Sequence, residues 1–150
     1  MQLIDILTLD RVVPDLDVSS KKRILEVASA TAAKTLNDIN ANEIYDRLLA
    51  RERLGTTAIG HGIAIPHCRI AELPQAIAVL LRLQHGVDFD AADQEAVDLV
   101  LTLLVPEDSP EEHLQLLANI AGKFNDPTFR EQLRNATDVS SLYKIVTAYD

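Results

Sequence analysis

The sequence predicts an α/β domain in which a mixed sheet is flanked by helices on both faces. Three observations predict it. Two nearly continuous apolar runs, AIAVLLRL (76–83) and AVDLVLTLLV (96–105), have the character of central strands covered on both sides. Helical patterns precede them in residues 19–36 and 40–55, and helical signals follow from residue 108 onward. Helices, then strands, then helices describe a layered domain. The 150 residues suit one domain over 1–150, and at 47% hydrophobic and 25% charged they can furnish its core.

Residues 1–16 are mixed and predict a short strand or turn around Val12 and Val13. SSKKRILEVASATAAKTL predicts a helix capped by Ser19 or Ser20, with Ile24, Val27, Ala28 and Thr31 on one face. NANEIYDRLLARERLG predicts a second helix. It starts at Asn40 or Asn42, faces inward with Ile44, Leu48 and Leu49, and stops at Gly55. GIAIP (62–66) is a short strand that Pro66 ends, and QHGVDFDA (84–91) supplies a turn at Gly86 and an edge strand. In SPEEHLQLLANIAGKF, Ser109 is the expected cap, Pro110 the first helical residue and Glu112 the partner that closes a capping box. DPTFREQLRNA and DVSSLYKIVTAY predict two further short helices.

A formal net charge of −9 opposes nucleic acid as a partner, because phosphate backbones are bound by excess Lys and Arg. It suits a chain that docks on basic patches of other proteins. Cys68 is the only cysteine, so no intrachain disulfide forms. The N-terminus lacks the pattern of a signal peptide, and AVDLVLTLLVP is too short for a membrane span and contains Asp98. A cytoplasmic protein without direct membrane insertion is expected.

The stretch GTTAIGHGIAIPHCRI (55–70) concentrates the candidate chemistry. Pro66 lacks an amide hydrogen and holds Ile65 extended, so the strand stops and His67 is left at its end. Alternation sends Ile63 and Ile65 to one face. Strand ends are where α/β folds place reacting groups, yet a loop histidine without a role fits the residues equally. Gly60 and Gly62 allow a close approach to the backbone. His113 falls in the first turn of a helix, where an imidazole tends to stay neutral; taken alone it reads as a surface histidine that caps the helix. Arg51 and Arg53 end the second helix, where they either complement its dipole or meet an anion. His61 and His67 match no metal-ligand spacing, and Cys68 points to the opposite face from His67, so neither a metal nor a thiol nucleophile is expected. GHGIAI lacks the third glycine of a dinucleotide fingerprint, and no P-loop is present, so no cofactor is expected either.

RERLGTTAIGHGIAIPH (51–67) closely resembles the active-site segment of the enzyme IIA domains of the bacterial phosphotransferase system, in the mannitol/fructose/nitrogen-regulatory class. LLVPEDSPEEHLQLLANIA (103–121) resembles the second motif of that class. The length and RERLGTTAIG look most like the nitrogen-regulatory type. The resemblance implies the mixed-sheet fold of that class. It also implies that His67 accepts a phosphoryl group from an HPr-like carrier protein, that His113 packs beside it and supports it, and that Arg51 stabilises the phosphoryl group. Glycine-loop amides at Gly60 and Gly62 together with Thr57 are candidates for binding it. Under this reading the glycines clear the approach to His67. The implied partners are the carrier and regulated targets such as transporters or sensor kinases, with room for a weak homo-oligomer. A sugar-specific enzyme IIA feeding a membrane permease, or a non-catalytic module of the same fold, are the alternatives. His61 occupies a position that is commonly asparagine in the class, and an extra imidazole there would alter the pH dependence of transfer. The docking surface is expected to expose Ile63, Ile65 or Leu73 and to be edged by acidic groups.

Overall fold

The computed structural model describes residues 1–108 and 110–148, with side chains except at residues 110–112. The chain opens with a short helix α1 (Leu3–Ile6) and a 3-10 turn (Leu9–Arg11), then runs into β1 (Val12–Leu16). Helices α2 (Lys21–Ala33) and α3 (Ala41–Leu54) follow. Strands β2 (Ala58–Gly60), β3 (Ile63–Ala64), β4 (His67–Ile70), β5 (Ile77–Val87) and β6 (Val97–Pro106) come next. The chain closes with α4 (Pro110–Phe124), α5 (Pro127–Asn135) and α6 (Val139–Thr147). Ser109, the expected cap, lies outside the described residues, as do the side chain of Glu112 and Tyr149, the expected end of the last helix.

The strands form one sheet in the order β1-β5-β6-β3-β2, with β4 also paired to β6. β5 and β6 are antiparallel, while β1 runs parallel to β5 and both β3 and β4 run parallel to β6. The sheet is therefore mixed. Side chains alternate along β6, so it feeds two cores. Leu99, Leu101 and Leu103 pack with Leu3, Leu116, Ile120, Phe124, Leu133 and Leu142 beneath α1, α4, α5 and α6. Val100 and Leu104 pack with Ile24, Leu25, Ile44 and Leu48 beneath α2 and α3. Helices cover both faces, which is why Ile77–Leu81 of β5 and most of β6 are apolar and buried.

The helix starts follow their caps. Ser20 accepts the amide of Arg23 at 3.1 Å, and Asn40 accepts that of Glu43 at 2.8 Å. The inner face of α2 differs from expectation: Leu25, Ser29 and Ala32 are buried with Ile24 and Ala28, while Val27 and Thr31 stay partly exposed. α2 packs against both α3 and β5, and small residues let it approach. The Ser29 hydroxyl is satisfied within the helix by the Leu25 carbonyl at 2.7 Å. On α3, Ile44 and Leu48 face inward as expected, but the third buried position is Glu52, with Leu49 to the side.

Two strand expectations need correction. Gly86 is not a turn; it lies inside β5, and a Cβ there would come within 2.6 Å of the Ala96 Cβ, so glycine serves close packing. GIAIP is not a strand that ends the ladder. β3 covers only Ile63 and Ala64, the chain breaks over Ile65 and Pro66, and pairing resumes at His67 opposite Leu103. The Pro66 carbonyl accepts the Leu103 amide at 2.8 Å and carries the chain across the break. His67 is the first residue of β4 and not the end of a strand.

β2 and β3 are joined through His61 and Gly62, at φ of +58° and +79°. Positive φ at both central positions is what a type I′ hairpin demands. A Cβ on Gly62 would stand 2.6 Å from Arg134 Nη2 and 2.9 Å from Asp98 Oδ1. Gly62→Ala therefore combines a strained φ with overpacking against an ion pair. It is expected to cost about 1–3 kcal/mol. Urea denaturation should show a lower midpoint with an unchanged slope.

Candidate functional site

The break between β3 and β4 sets the geometry of His67. Its Nδ1 lies 2.9 Å from the Ile65 carbonyl oxygen. A carbonyl only accepts, so Nδ1 donates its proton and Nε2 keeps an in-plane lone pair. The ring is half-buried. Its pKa is lowered, first by desolvation and further by Arg51, against the opposing pulls of the Ile65 hydrogen bond and Glu52. In its neutral form the ring is held as one tautomer, with the lone pair on Nε2.

His67 stands between two hollows. The larger, about 530 Å³, opens between α3 and α4. Arg47, Ala50, Arg51 and Leu54 line it from α3; His113, Leu114 and Leu117 line it from α4; β4 supplies Cys68 and Arg69, and β6 supplies Leu103 and Val105. The smaller, about 320 Å³, lies toward Thr56, Thr57, Ala58 and Ile59, with Ala118 and Ala121 across from them. His67, Arg51 and Leu117 border both. The fold thus brings His67, His113 and Arg51 together from three separate elements. His113, the fourth residue of α4, is 7% exposed and its Nδ1 has no hydrogen-bond partner among the described residues. Arg51 donates to the Gly55 carbonyl at 2.9 Å, which steadies the guanidinium at the end of α3. Arg53 is exposed and borders neither hollow.

The remaining candidates fall elsewhere. Thr57 borders the smaller hollow, but its hydroxyl donates to Glu52 Oε1 at 2.6 Å and its amide to Glu52 Oε2 at 3.0 Å. Those two protons face Glu52. Gly60 and Gly62 border neither hollow, so the glycines do not clear the approach to His67; they shape the hairpin and pack it on Asp93, Asp98 and Arg134. His61 is exposed at the hairpin tip, its amide bonded to Asp93 Oδ2 at 2.9 Å and its carbonyl to Arg134 Nη2 at 2.6 Å. Bordering neither hollow, it adds no imidazole to the site. Its left-handed φ suits asparagine, aspartate or histidine better than most residues. Cys68 is buried and desolvation pushes its thiol up to about 12, which rules out a thiolate nucleophile near neutrality.

The expected docking surface is also corrected. Ile63, Ile65 and Leu73 are buried in the two cores, at 1%, 3% and 5% exposure. The apolar residues exposed around the hollows are Leu54, Leu114 and Ile59. Arg47, Arg51 and Arg69 border the larger hollow, and Glu107 stands 4.0 Å from Arg47, so arginines line it while a carboxylate sits beside one of them. Arg47 and Arg51 were readable as an i, i+4 pair on α3. Glu52 had no comparable signal, because a charged residue near a helix end normally faces solvent.

Comparisons with known proteins give the family and the fold. Residues 5–149 match the family model described as "Phosphoenolpyruvate-dependent sugar phosphotransferase system, EIIA 2". The chain is 44% identical over 146 residues to a nitrogen regulatory protein of Pseudomonas aeruginosa, covering 97% of this chain and 95% of that one. Its fold superposes with a TM-score of 0.90 on the crystal structure of nitrogen regulatory protein IIA-Ntr from Neisseria meningitidis, 38% identical, covering 95% of this chain and 97% of that one. Enzyme IIA-mannitol of Escherichia coli, 20% identical, shares the fold at a TM-score of 0.77, with 93% and 97% of the two chains covered. No described helix is long and apolar enough to cross a membrane. With a family match that spans almost the whole chain, two solved folds that superpose on its mixed sheet, and a histidine–arginine–histidine cluster at the β3–β4 break, the chain belongs to the EIIA 2 family of the phosphoenolpyruvate-dependent sugar phosphotransferase system.

Proposed function

We propose that this chain is a phosphocarrier and regulator of the nitrogen-regulatory type, in which His67 Nε2 accepts a phosphoryl group from the phosphohistidine of an HPr-like carrier. Partner proteins, such as transporters or sensor kinases, then respond to the phosphorylation state. The observation that carries the reading is the His67 ring itself. Its Nδ1 is tied to the Ile65 carbonyl, and the ring borders a basic hollow shared with Arg51 and His113. The high identity to nitrogen regulatory proteins over nearly the full chain supports that type over a sugar-specific one.

The step needs little covalent work from the protein. The Nε2 lone pair attacks phosphorus in line; the donor P–N bond breaks and its electron pair stays on the donor ring, which leaves as neutral imidazole. The His67 ring keeps its Nδ1 proton and becomes cationic, held by the Ile65 carbonyl and favoured by the nearby Glu52 charge. Arg51 and His113 are placed to stabilise the phosphoryl oxygens, so catalysis rests on positioning and electrostatics. Leu54, Leu114 and Ile59 offer apolar contacts around the arginine-lined hollow, and the hollow's charge complements the incoming phosphate.

The decisive experiment supplies phosphoenolpyruvate, enzyme I and the carrier, and locates acid-labile phosphate. His67→Ala should take none while keeping its stability within roughly 1 kcal/mol; normal incorporation would remove His67 from the role. His113→Ala should still accept phosphate, with transfer slowed about 10- to 1000-fold by loss of an orienting or charge-stabilising group. Unchanged rates onto and off the protein would exclude His113.

A pH profile tests the electrostatics. Only the neutral ring attacks, and the His67 pKa is lowered from the ordinary 6.5. The neutral form therefore persists below that pH, and single-turnover acceptance should fall only at more acidic values. A midpoint at or above 6.5 in the His67 limb would contradict the assigned environment.

A further inference from the structure

Glu52 is a buried carboxylate, with its side chain 3% exposed, on the inward stripe that Ile44 and Leu48 begin. A leucine there would continue the stripe without the cost of desolvating a charge. Glu52 borders neither hollow, so it does not meet the phosphoryl group itself. Its partners are fully specified instead. Oε1 accepts the Thr57 hydroxyl at 2.6 Å, Oε2 accepts the Thr57 amide at 3.0 Å, and Lys21 Nζ of α2 stands 3.0 Å from Oε2. Lys21 is in turn seated over the Phe89 ring, 4.8 Å from its centroid.

The contacts continue toward His67. The Thr57 carbonyl accepts the Ile65 amide at 3.0 Å, and the Ile65 carbonyl holds His67 Nδ1 at 2.9 Å. Two main-chain residues therefore connect the carboxylate to the imidazole. Ile65 lies in the break between β3 and β4, where no ladder strand fixes its orientation. Its amide is anchored by Thr57, and Thr57 is anchored by Glu52. We propose that Glu52 is a positioning residue for phosphoryl acceptance: by gripping both donors of Thr57 it steadies the Ile65 backbone, whose carbonyl keeps the His67 proton on Nδ1 and the lone pair on Nε2. This inference rests on the reading of His67 Nε2 as the acceptor. It follows the general logic by which a residue bonded to the back of an imidazole sets the tautomer that reacts.

The test reads the tautomer directly. Side-chain ¹⁵N–¹H NMR of the full chain, at a pH where His67 is neutral, should show Nδ1 protonated and Nε2 unprotonated in the wild type. Glu52→Gln keeps the volume but turns an amide donor toward Thr57. The His67 nitrogens should then move toward the averaged shifts of a mixed tautomer, and acceptance from the carrier should slow about 10- to 100-fold, the range seen when such outer partners are lost. Thr57→Val deletes only the hydroxyl link and should give a smaller shift in the same direction. A folded Glu52→Gln chain with the wild-type tautomer overturns the proposal, and so does a shifted tautomer with an unchanged rate. Should Glu52→Gln fail to fold, Thr57→Val decides by the same measurement. Failure of the wild type to take phosphate would instead refute the phosphocarrier reading, because the tautomer spectrum does not depend on phosphate.

Discussion

The hydrogen bond from His67 Nδ1 to the Ile65 carbonyl is the contact on which the site depends. It exists because the strand is interrupted. In an unbroken parallel ladder the carbonyls of alternate residues are committed to the neighbouring strand. Pro66 has no amide proton and disfavours helical geometry at Ile65, so the chain stays extended while the ladder lapses for two residues. The lapse frees one carbonyl beside one imidazole. Resumed pairing of β4 on β6 then holds the ring's own backbone, with His67 opposite Leu103.

The two-layer core explains why the other groups reach the same place. Among the described residues β4 pairs with β6 alone, so its other edge carries no strand. Around that edge the two helical layers come near each other: α3 belongs to the core containing Leu48, and α4 to the core containing Leu116. Arg51 arrives from the first layer and His113 from the second, and neither element needs to enter the sheet. Under the proposed function, a seam between two packed layers suits holding His67, Arg51 and His113 with little reorganisation. It also leaves the mouth apolar, through Leu54 and Leu114, without exposing the core itself.

Much of this arrangement was legible in the sequence. Ser20 and Asn40 announce α2 and α3, and two apolar runs mark the central strands. Pro66 marks the break beside His67, and the RERLGTTAIGHGIAIPH segment carries the family resemblance. What was not legible has physical causes. The inner face of α2 is set by small residues packing on α3 and β5, which periodicity does not see. Gly86 looks like a turn because sequence shows no difference between a glycine that bends the chain and one that clears space for Ala96. The paired glycines around His61 look like a phosphate cradle, yet their positive φ values serve a hairpin whose other partners, Asp93, Asp98 and Arg134, are distant in sequence. Ile63 and Ile65 sit near the reactive histidine in sequence, but alternation directs both into the core. Glu52 breaks the expected pattern most, since burial of a carboxylate becomes reasonable only once Thr57 and Lys21 are seen around it.

The charge distribution shows why net charge is a poor guide to docking. The chain carries −9, which would repel a phosphorylated partner if it were spread evenly. It is not. Asp88, Asp90, Asp93 and Glu95 gather in the β5–β6 connection, while Arg47, Arg51 and Arg69 border the hollow beside His67. Exposed charges more than about 8 Å apart are largely screened at physiological ionic strength, so an incoming phosphohistidine responds to the nearest groups. In the proposed encounter the nearest cations are those arginines, with Glu107 beside Arg47. Under the proposed function, an acidic β5–β6 connection that attracts no anion favours approach at the arginine-lined hollow beside His67.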